Sequence, residues 1–319
     1  KNCDIRFAPS VAKYRRDEQP PVYEPHLRAT IGGHDCVQII LRAKADAAFA
    51  VRQSGGPAVS LYVENYAEVT RPTRNNRYIH PLGFYPDALL PLDTAQAHGY
   101  LRVKANDNAA VWLDFCGDCA GDGTIDLALT VGGETETVRI PYTVYPIRTP
   151  RTTMQTLFLV RRGFIADGEG YCDDKLAQTY YEFLLSYRVD SYTLPITSTE
   201  PDELAALADR YFDDPNFTGF GLPSNIRGGA GVFDYDLLKR QIFALARRSR
   251  PGRNLLEKAF IKNGDEPDYT GRMESLLSDE QTLHAALAET VEAIRGGEYA
   301  DFKRIEGWEK YVADIPVIV

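Results

Sequence analysis

Tryptophan, methionine and cysteine are scarce in this sequence, and it has no long apolar run. Of its 319 residues, 2 are Trp, 2 are Met and 5 are Cys. No stretch approaches the roughly 18 consecutive apolar residues that a membrane-spanning helix requires. The first residues are polar and strand-like, unlike the apolar stretch of a signal peptide. We therefore expect no membrane span.

Positive charge is also in short supply. The 36 Lys and Arg residues are outnumbered by 45 Asp and Glu residues, which gives a formal net charge of −9. A nucleic-acid partner requires a positive surface that can release counterions. We therefore expect no nucleic-acid partner. With 44% hydrophobic residues, the chain can bury substantial cores, and its length is typical of about two domains.

The cysteines are too few and too scattered for a disulfide-stapled or cysteine-ligated domain. They are Cys3, Cys36, Cys116, Cys119 and Cys172. The spacing of Cys116 and Cys119 is that of half a zinc site, but a structural zinc needs four ligands, and no second pair follows. The sequence thus predicts no metal and no cofactor. The sequence leaves open whether Cys116 and Cys119 form a local disulfide or are free thiols in a loop.

Residues 1–147 show apolar positions with a period of two, interrupted at short intervals by Gly, Pro and Asn. This pattern predicts an antiparallel β-sandwich. Its predicted strands are Asp4–Ala8, Cys36–Ala43, Ala47–Gln53, Val59–Val69, Ala109–Phe115, Thr124–Val131 and Glu136–Tyr145. Gly132 and Gly133 should join the last two in a tight hairpin, because glycine readily adopts the positive φ angles of such turns.

Two prolines between Pro146 and Thr153 interrupt regular pairing and mark a domain boundary. In residues 148–319, short apolar runs alternate with helical periodicity, which predicts a (β/α) TIM-type barrel of which about the first half, strands 1 to about 5, is present. The predicted strands are Thr156–Val160, Tyr192–Ile196, Phe217–Leu222, Lys258–Asn263 and Pro316–Val319. The predicted helices are Asp173–Tyr187, Pro201–Phe212, Tyr235–Arg248 and Ser278–Arg295.

A barrel closes only with eight strands. On this interpretation the chain is a fragment, or a second chain or a missing segment supplies the remaining strands. An open doubly wound sheet is the structural alternative, although no glycine-rich phosphate loop follows the first predicted strand.

An acidic pair, Asp265 and Glu266, directly follows the fourth predicted strand of this second domain. Both carboxylates would lie at the carboxyl end of that strand, the face on which barrel enzymes carry out chemistry. Pro267 then ends the strand. A catalytic pair and an ordinary structural loop are both compatible with this position.

Several short stretches occur in a characteristic order: Pro86–Pro91, Val111–Asp114, Tyr180–Val189, Leu194–Pro195 and Gly264–Pro267. In this order they resemble glycoside hydrolase family 123 and its relatives that carry a domain of unknown function. The resemblance implies a sandwich joined to a (β/α) barrel. It also implies an N-acetylhexosaminidase that retains anomeric configuration by using the acetamido group of its own substrate, an exception to the usual carboxylate nucleophile.

Carried onto this sequence, the resemblance implies that Glu266 is the general acid and then the base. Asp265 would orient the acetamide and stabilise the developing oxazolinium ring. Among the aromatic and polar residues of the predicted loops, Tyr269, Asn225 and Arg162 are candidates for contacting the substrate. An ordinary loop hydrogen bond is the alternative role for each of the three.

The sequence therefore predicts a glycoside hydrolase that acts on a glycan of the N-acetylgalactosamine type, in an extracellular or cell-envelope location. The alternative is a noncatalytic carbohydrate-binding or structural surface protein on the same scaffold, since a fold does not dictate an activity.

Overall fold

The chain divides into two compact units, Lys1–Pro150 and Arg151–Val319. The structure is a computed structural model. It describes residues 2–72, 81–148, 150, 158–191, 193–195, 200–223, 234–262, 273–298 and 306–318.

The first unit contains two five-stranded sheets. In spatial order, the first sheet consists of β1 (Cys3–Pro9), β3 (His34–Ala43), β8 (Asn108–Cys116), β5 (Val59–Val69) and β6 (Gly83–Pro91). The second consists of β2 (Leu27–Ile31), β10 (Glu134–Arg148), β9 (Gly121–Val131), β4 (Ala47–Gly55) and β7 (Arg102–Val103). A short helix, α1 (Leu92–Ala97), follows β6. Neighbouring strands are antiparallel except β2 and β10, which are parallel.

One hydrophobic core lies between these two sheets. Along β8, Val111, Leu113 and Phe115 are buried, whereas the alternate residues Trp112 and Asp114 are partly exposed. Strands β9 and β10 contribute to the same core with the same alternation. Successive side chains of a strand point to opposite faces, so each sheet turns one face to the core. Two facing sheets with one core between them form a sandwich.

Residues 10–18, which we call the covering segment, cross the outer face of the first sheet. Two buried amides hold this segment in place. The Gln38 amide donates to the carbonyl oxygens of Pro9 at 2.7 Å and Ala12 at 2.6 Å. The side-chain amide of Asn108 donates to the carbonyl oxygens of Arg15 at 2.9 Å and Glu18 at 2.5 Å. Part of the outer face is therefore buried as well.

The hairpin between β9 and β10 confirms its prediction from sequence. Val131 pairs with Glu134, and the two residues between them, Gly132 and Gly133, have φ angles of 57° and 89°. Two consecutive positive φ angles are the geometry of the primed turn that matches the twist of an antiparallel hairpin.

The second unit contains a three-stranded parallel sheet surrounded by helices. Its strands, in spatial order, are β11 (Phe220–Gly221), β12 (Ala259–Lys262) and β13 (Val317–Ile318). Its helices are α2 (Arg162–Glu169), α3 (Asp174–Ser186), α4 (Pro201–Tyr211), α5 (Tyr235–Arg248), α6 (Met273–Arg295) and α7 (Trp308–Ala313), with a 3-10 turn at Leu255–Lys258.

Apolar residues of the sheet and of the helices share one core in the second unit. Phe220 and Ile261 come from the sheet, and Ala208, Leu245 and Leu287 come from three different helices. All five are at most 1% exposed. The helices therefore pack on the sheet because each turns an apolar stripe towards it.

The predicted fold class, a sandwich followed by the first half of a TIM-type barrel, is wrong. Within the described residues, parallel pairing extends over three strands of two to four residues, and no barrel is formed. Phe158 and Ser191, which fall in or beside the first two predicted barrel strands, form only an isolated parallel bridge. Apolar runs that alternate with helices specify parallel βα units. They do not specify how many strands pair or whether the sheet closes, because those features depend on tertiary contacts.

Gly56 lies between β4 and β5 with a φ angle of 87°, and a Cβ atom there would collide with the backbone carbonyl of Thr124. We predict that Gly56→Ala lowers the free energy of unfolding by roughly 3 kcal/mol, because steric and φ strain add. Urea unfolding followed by circular dichroism measures this change.

Gly133→Ala is the matched control, since its φ angle is 89° but the space around it is open. Gly133→Ala should lower the free energy of unfolding by about 1 to 2 kcal/mol, because only the strain of the left-handed conformation applies there. Equal losses in both variants would contradict the steric collision at Gly56.

Candidate functional site

The carboxyl ends of β11 and β12 lie at one edge of the parallel sheet. Phe220 pairs with Ala259 and Gly221 with Phe260, and the Leu222 amide donates to the Phe260 carbonyl at 2.8 Å. The two strands run in the same direction, so the chain leaves both at the same edge. Ligand sites of open parallel sheets form outside this edge.

Four of the five residues predicted for the site lie outside the described residues: Asp265, Glu266, Tyr269 and Asn225. In the sequence, Asn225 follows β11, and the other three follow β12. Their roles stay predictions.

Arg162, the fifth predicted residue, is the first residue of α2. Its Nη2 lies 2.9 Å from Asp174 Oδ1 and donates to the Cys172 carbonyl at 3.1 Å. These contacts connect the start of α2 to the start of α3. Its Nη1 is buried and has no hydrogen-bond partner among the described residues. Arg162 thus has a structural role, and its contact with a substrate stays a prediction.

The opposite edge of the sheet holds a buried carboxylate. Asp190 is 1% exposed. Its Oδ2 accepts hydrogen bonds from the Thr218 backbone amide at 2.9 Å and from the Thr218 hydroxyl. Burial raises the pKa of Asp190, and the bonds from Thr218 act in the opposite direction. Thr218 precedes β11 by two residues, so this network lies at the amino end of the strand.

Lys258 lies at the same amino-terminal edge, immediately before β12. Its Nζ donates to the carbonyl oxygens of Phe212 at 2.8 Å and Phe217 at 2.5 Å, and it lies over both phenyl rings. Burial lowers the pKa of Lys258, while nearby carboxylates, Asp190 foremost, raise it. Because the ammonium group satisfies backbone carbonyls, we assign it a structural role.

We predict that Lys258→Met lowers the free energy of unfolding by about 1 to 3 kcal/mol, because the change leaves two carbonyl oxygens without their donor. Denaturant unfolding gives this value. Lys239→Met is the control, since the ion pair of Lys239 in the described residues is an i,i+3 pair with the exposed Asp236. It should change stability by less than about 0.5 kcal/mol. An unchanged midpoint for Lys258→Met would show that the carbonyls find other donors.

A Cys, His and Asp cluster lies at one end of the first sheet in the first unit. Asp114 Oδ1 lies 2.8 Å from His34 Nδ1 and 3.5 Å from Cys36 Sγ. Burial and the Asp114 charge raise the pKa of the Cys36 thiol to about 12. A nucleophilic cysteine requires a lowered pKa, so this cluster does not have the electrostatics of a cysteine hydrolase.

A cavity of about 290 Å³ is present elsewhere in the first unit. It is lined by the covering segment, by β5 and by the chain from the end of α1 to the start of β8. The lining includes Arg16, Glu64, Tyr66, Tyr100, Arg102 and Asp107. Sequence analysis missed this cavity, because its lining comes from segments far apart in the chain.

Glu64 is the unusual residue of this cavity. It is only 4% exposed, and its Oε1 is buried with no hydrogen-bond partner among the described residues. Burial raises the pKa of its carboxyl to about 7, and the charge of Lys13 acts in the opposite direction. Buried carboxyls are normally paired, so Glu64 is a candidate functional group with a stated physical cause.

Arg16, which lines the same cavity, lies over two aromatic rings. Its guanidinium carbon lies 4.3 Å from the centre of the Phe84 ring and 5.1 Å from that of the Tyr66 ring. The backbone of Arg16 is fixed as well. Its N–H group donates to the Phe84 carbonyl at 3.0 Å, and its carbonyl accepts from the backbone N–H group of Asn108 at 2.7 Å. Burial raises the pKa of Tyr66, and the Glu64 charge adds to this effect.

The raised pKa of Glu64 predicts a pH-dependent loss of stability. Below the ordinary value of 4.5, Glu64 is protonated in both the folded and the unfolded chain. Between pH 4.5 and about 7 the unfolded chain ionises first, so Glu64 destabilises the fold increasingly, up to roughly 3 kcal/mol above pH 7. Glu64→Gln should therefore gain stability relative to the wild type as the pH rises from 4 to 8.

Urea unfolding at several pH values measures this difference. Glu68→Gln is the control, because Glu68 lies on the same strand with an exposed side chain. The free energy of unfolding of Glu68→Gln should differ from that of the wild type by an amount that stays constant within about 0.5 kcal/mol over this pH range. If the free energies of unfolding of the wild type and Glu64→Gln changed in parallel with pH, the raised pKa of Glu64 would be contradicted.

No group of three His, Cys, Asp or Glu residues suited to a metal ion occurs in the part of the chain that the structure describes. All five cysteines are free thiols. In the same described part, no helix is both long and apolar enough to cross a bilayer.

No family model matches this sequence, and no curated protein matches it. Among solved structures, a family 123 glycoside hydrolase from Clostridium perfringens is 13% identical, covers 82% of this chain and has a TM-score of 0.49. This chain spans about half of that enzyme, 48% of its length. It is a distant structural neighbour.

Two further neighbours are similar to a smaller part of the chain. A member of the MSP family of C. elegans is 11% identical over 38% of this chain and 93% of its own, with a TM-score of 0.21. A PapD-like domain of human CEP192 is 10% identical over 47% of this chain and 87% of its own, also with a TM-score of 0.21. All three TM-scores are below 0.5.

Proposed function

We propose that this protein is a glycoside hydrolase that cleaves N-acetylhexosaminides of the N-acetylgalactosamine type. One observation carries the proposal: Asp265 and Glu266 follow β12, the central strand of the parallel sheet, by three and four residues. Both neighbours of β12 run parallel to it. Sites for ligands form outside the carboxyl edge of such sheets, and a closed barrel is not required for this.

The proposed reaction proceeds in two steps with retention of configuration. In the first, the carbonyl oxygen of the substrate's acetamido group attacks the anomeric carbon while the glycosidic bond breaks, and Glu266 donates its proton to the leaving oxygen. In the second, Glu266 takes a proton from water, which attacks the anomeric carbon and reopens the oxazolinium ring. Asp265 stays ionised and stabilises the positive charge of that ring. The two carboxyls thus require different environments.

Substrate contacts are proposed for three further residues. Asn225 follows β11, whose carboxyl end lies at the same edge as that of β12, and Tyr269 follows the acidic pair in the sequence. Arg162 begins α2, and its buried Nη1 is free to donate within the described residues. An extracellular or cell-envelope location is proposed with this activity, since glycans are abundant there.

A noncatalytic carbohydrate-binding or structural surface protein is the second candidate. The observation in its favour is the cavity of the first unit, which contains aromatic side chains and an acceptor, Glu64 Oε1, with no hydrogen-bond partner in the described part of the chain. The two candidates differ in one measurable property, turnover.

We expect hydrolysis of 4-nitrophenyl N-acetyl-β-D-galactosaminide by the full chain, and a loss of about 10² to 10⁴-fold in kcat/KM for Glu266→Gln and for Asp265→Asn. The galactoside that lacks the acetamido group should not be hydrolysed, because it has no internal nucleophile. Release of 4-nitrophenol measures both substrates.

The control is Glu289→Gln, which changes an exposed carboxylate of α6 and should retain full activity. A general acid also predicts a larger loss on an alkyl glycoside than on the 4-nitrophenyl glycoside, whose leaving group needs little protonation. Equal turnover in all variants would contradict the roles of Asp265 and Glu266, and no turnover in the wild type would favour the noncatalytic candidate.

A further inference from the structure

The cavity of the first unit contains a hydrogen-bond donor and an acceptor that do not pair with each other. Arg16 and Glu64 both line the cavity. Among the described residues, the Arg16 guanidinium donates no hydrogen bond and forms no ion pair, and Glu64 Oε1 accepts none. The Arg16 guanidinium instead lies over the rings of Tyr66 and Phe84. A cavity that offers both a donor and an acceptor suits a molecule with both kinds of group.

The charges around this space exclude two classes of ligand. Arg16 from the covering segment, Arg102 from β7 and Lys104 from the following turn are cationic and line the cavity. They disfavour an organic cation. The buried Glu64 on β5, together with Asp107, disfavours an anion placed deep in the cavity. Because charges of both signs line the cavity, a charged ligand of either sign would meet repulsion there, and a neutral polar ligand fits best.

The hydrogen-bonding chemistry of Glu64 suits a hydroxyl group in particular. A hydroxyl can donate to a carboxylate and can accept from a protonated carboxyl. Since burial raises the pKa of Glu64 to about 7, both forms are populated near neutral pH. An amine or a carboxylate ligand could pair well with only one of the two forms.

Size and aromatic content agree with a single sugar ring. The volume of about 290 Å³ lies at the lower end of the roughly 300 to 1,000 Å³ that is typical of small-molecule pockets. Tyr66 is half-buried, and Tyr100 is 52% exposed. Each presents an apolar ring face and a polar hydroxyl, a combination suited to an amphipathic ligand.

We propose that this cavity is a binding site for one neutral pyranose ring, whose hydroxyl groups bridge Arg16 and Glu64. The site lies in the first unit and contains none of the residues proposed for catalysis in the second. It would give the protein a way to hold a glycan that does not depend on turnover.

The test is titration calorimetry of the full chain with methyl β-D-galactopyranoside and methyl β-D-glucopyranoside, supported by saturation-transfer NMR. We expect at least one of them to bind, with an affinity that changes less than about threefold between pH 6 and pH 8. Glu64→Leu should weaken binding at least tenfold, because it removes the carboxyl oxygens that would accept from a sugar hydroxyl. Glu68→Gln, the exposed neighbour on the same strand, should bind as the wild type does.

Glu266→Gln separates this site from the proposed catalytic one and should leave sugar binding unchanged. If Glu64→Leu does not fold, as judged by circular dichroism, Tyr100→Ala replaces it, since that exposed side chain can be truncated without opening the core. Binding that is unchanged in a folded Glu64→Leu variant, or in Tyr100→Ala where that variant replaces it, would overturn the proposal, as would binding that Glu266→Gln abolishes.

Two charged probes test the ligand class. Putrescine is a cation, and its binding would strengthen as the pH rises if it paired with Glu64. Gluconate is an anion, and its binding would weaken over the same range. Either pH dependence, if Glu64→Leu abolishes it, would show a charged ligand and overturn the assignment to a neutral sugar. Absence of binding by both methyl glycosides at millimolar concentration would overturn it as well.

Discussion

Two buried amides, those of Gln38 and Asn108, fix the covering segment on the outer face of the first sheet. Each satisfies backbone carbonyl groups that would otherwise be buried without a donor. Within the segment, Tyr14 packs on that face, and Arg16 lies over the rings of Tyr66 and Phe84. Arg16 and Asn108 both line the cavity of the first unit, so the hydrogen bonds that hold the segment also position part of the cavity wall.

In the second unit, the governing feature is the common direction of the parallel strands. Because β11 and β12 are parallel, their two ends differ in chemistry. The amino ends hold the buried Asp190 and the partly buried Lys258, whose polar atoms satisfy neighbouring backbone groups. From the carboxyl ends, the chain continues in the sequence towards Asn225 and towards Asp265. A stabilising network at the amino ends and a ligand site at the carboxyl ends, as proposed here, is the division of roles common in parallel sheets.

Part of this arrangement follows from local sequence. Helix α5 occupies the residues that periodicity assigns to it, Tyr235–Arg248, because an apolar stripe and an Asp234 cap are both local signals. The position of the acidic pair after β12 is likewise a local feature. The barrel prediction failed because the number of strands that pair in a sheet is not encoded in any one segment. Parallel βα units are compatible with open and closed sheets alike.

By itself, then, the sequence determined the period-two strands of the first unit, the Gly132–Gly133 hairpin and the main helices of the second, since each depends on neighbours within a few residues. Tertiary structure alone decided which of these strands pair, and it decided the environment of Glu64. Alternation along β5 places Glu64 opposite the core, where a carboxylate is normally solvated. Arg16, Tyr100 and Asp107, which line the same cavity, come from distant parts of the chain, and burial among distant segments leaves no periodic trace in the sequence.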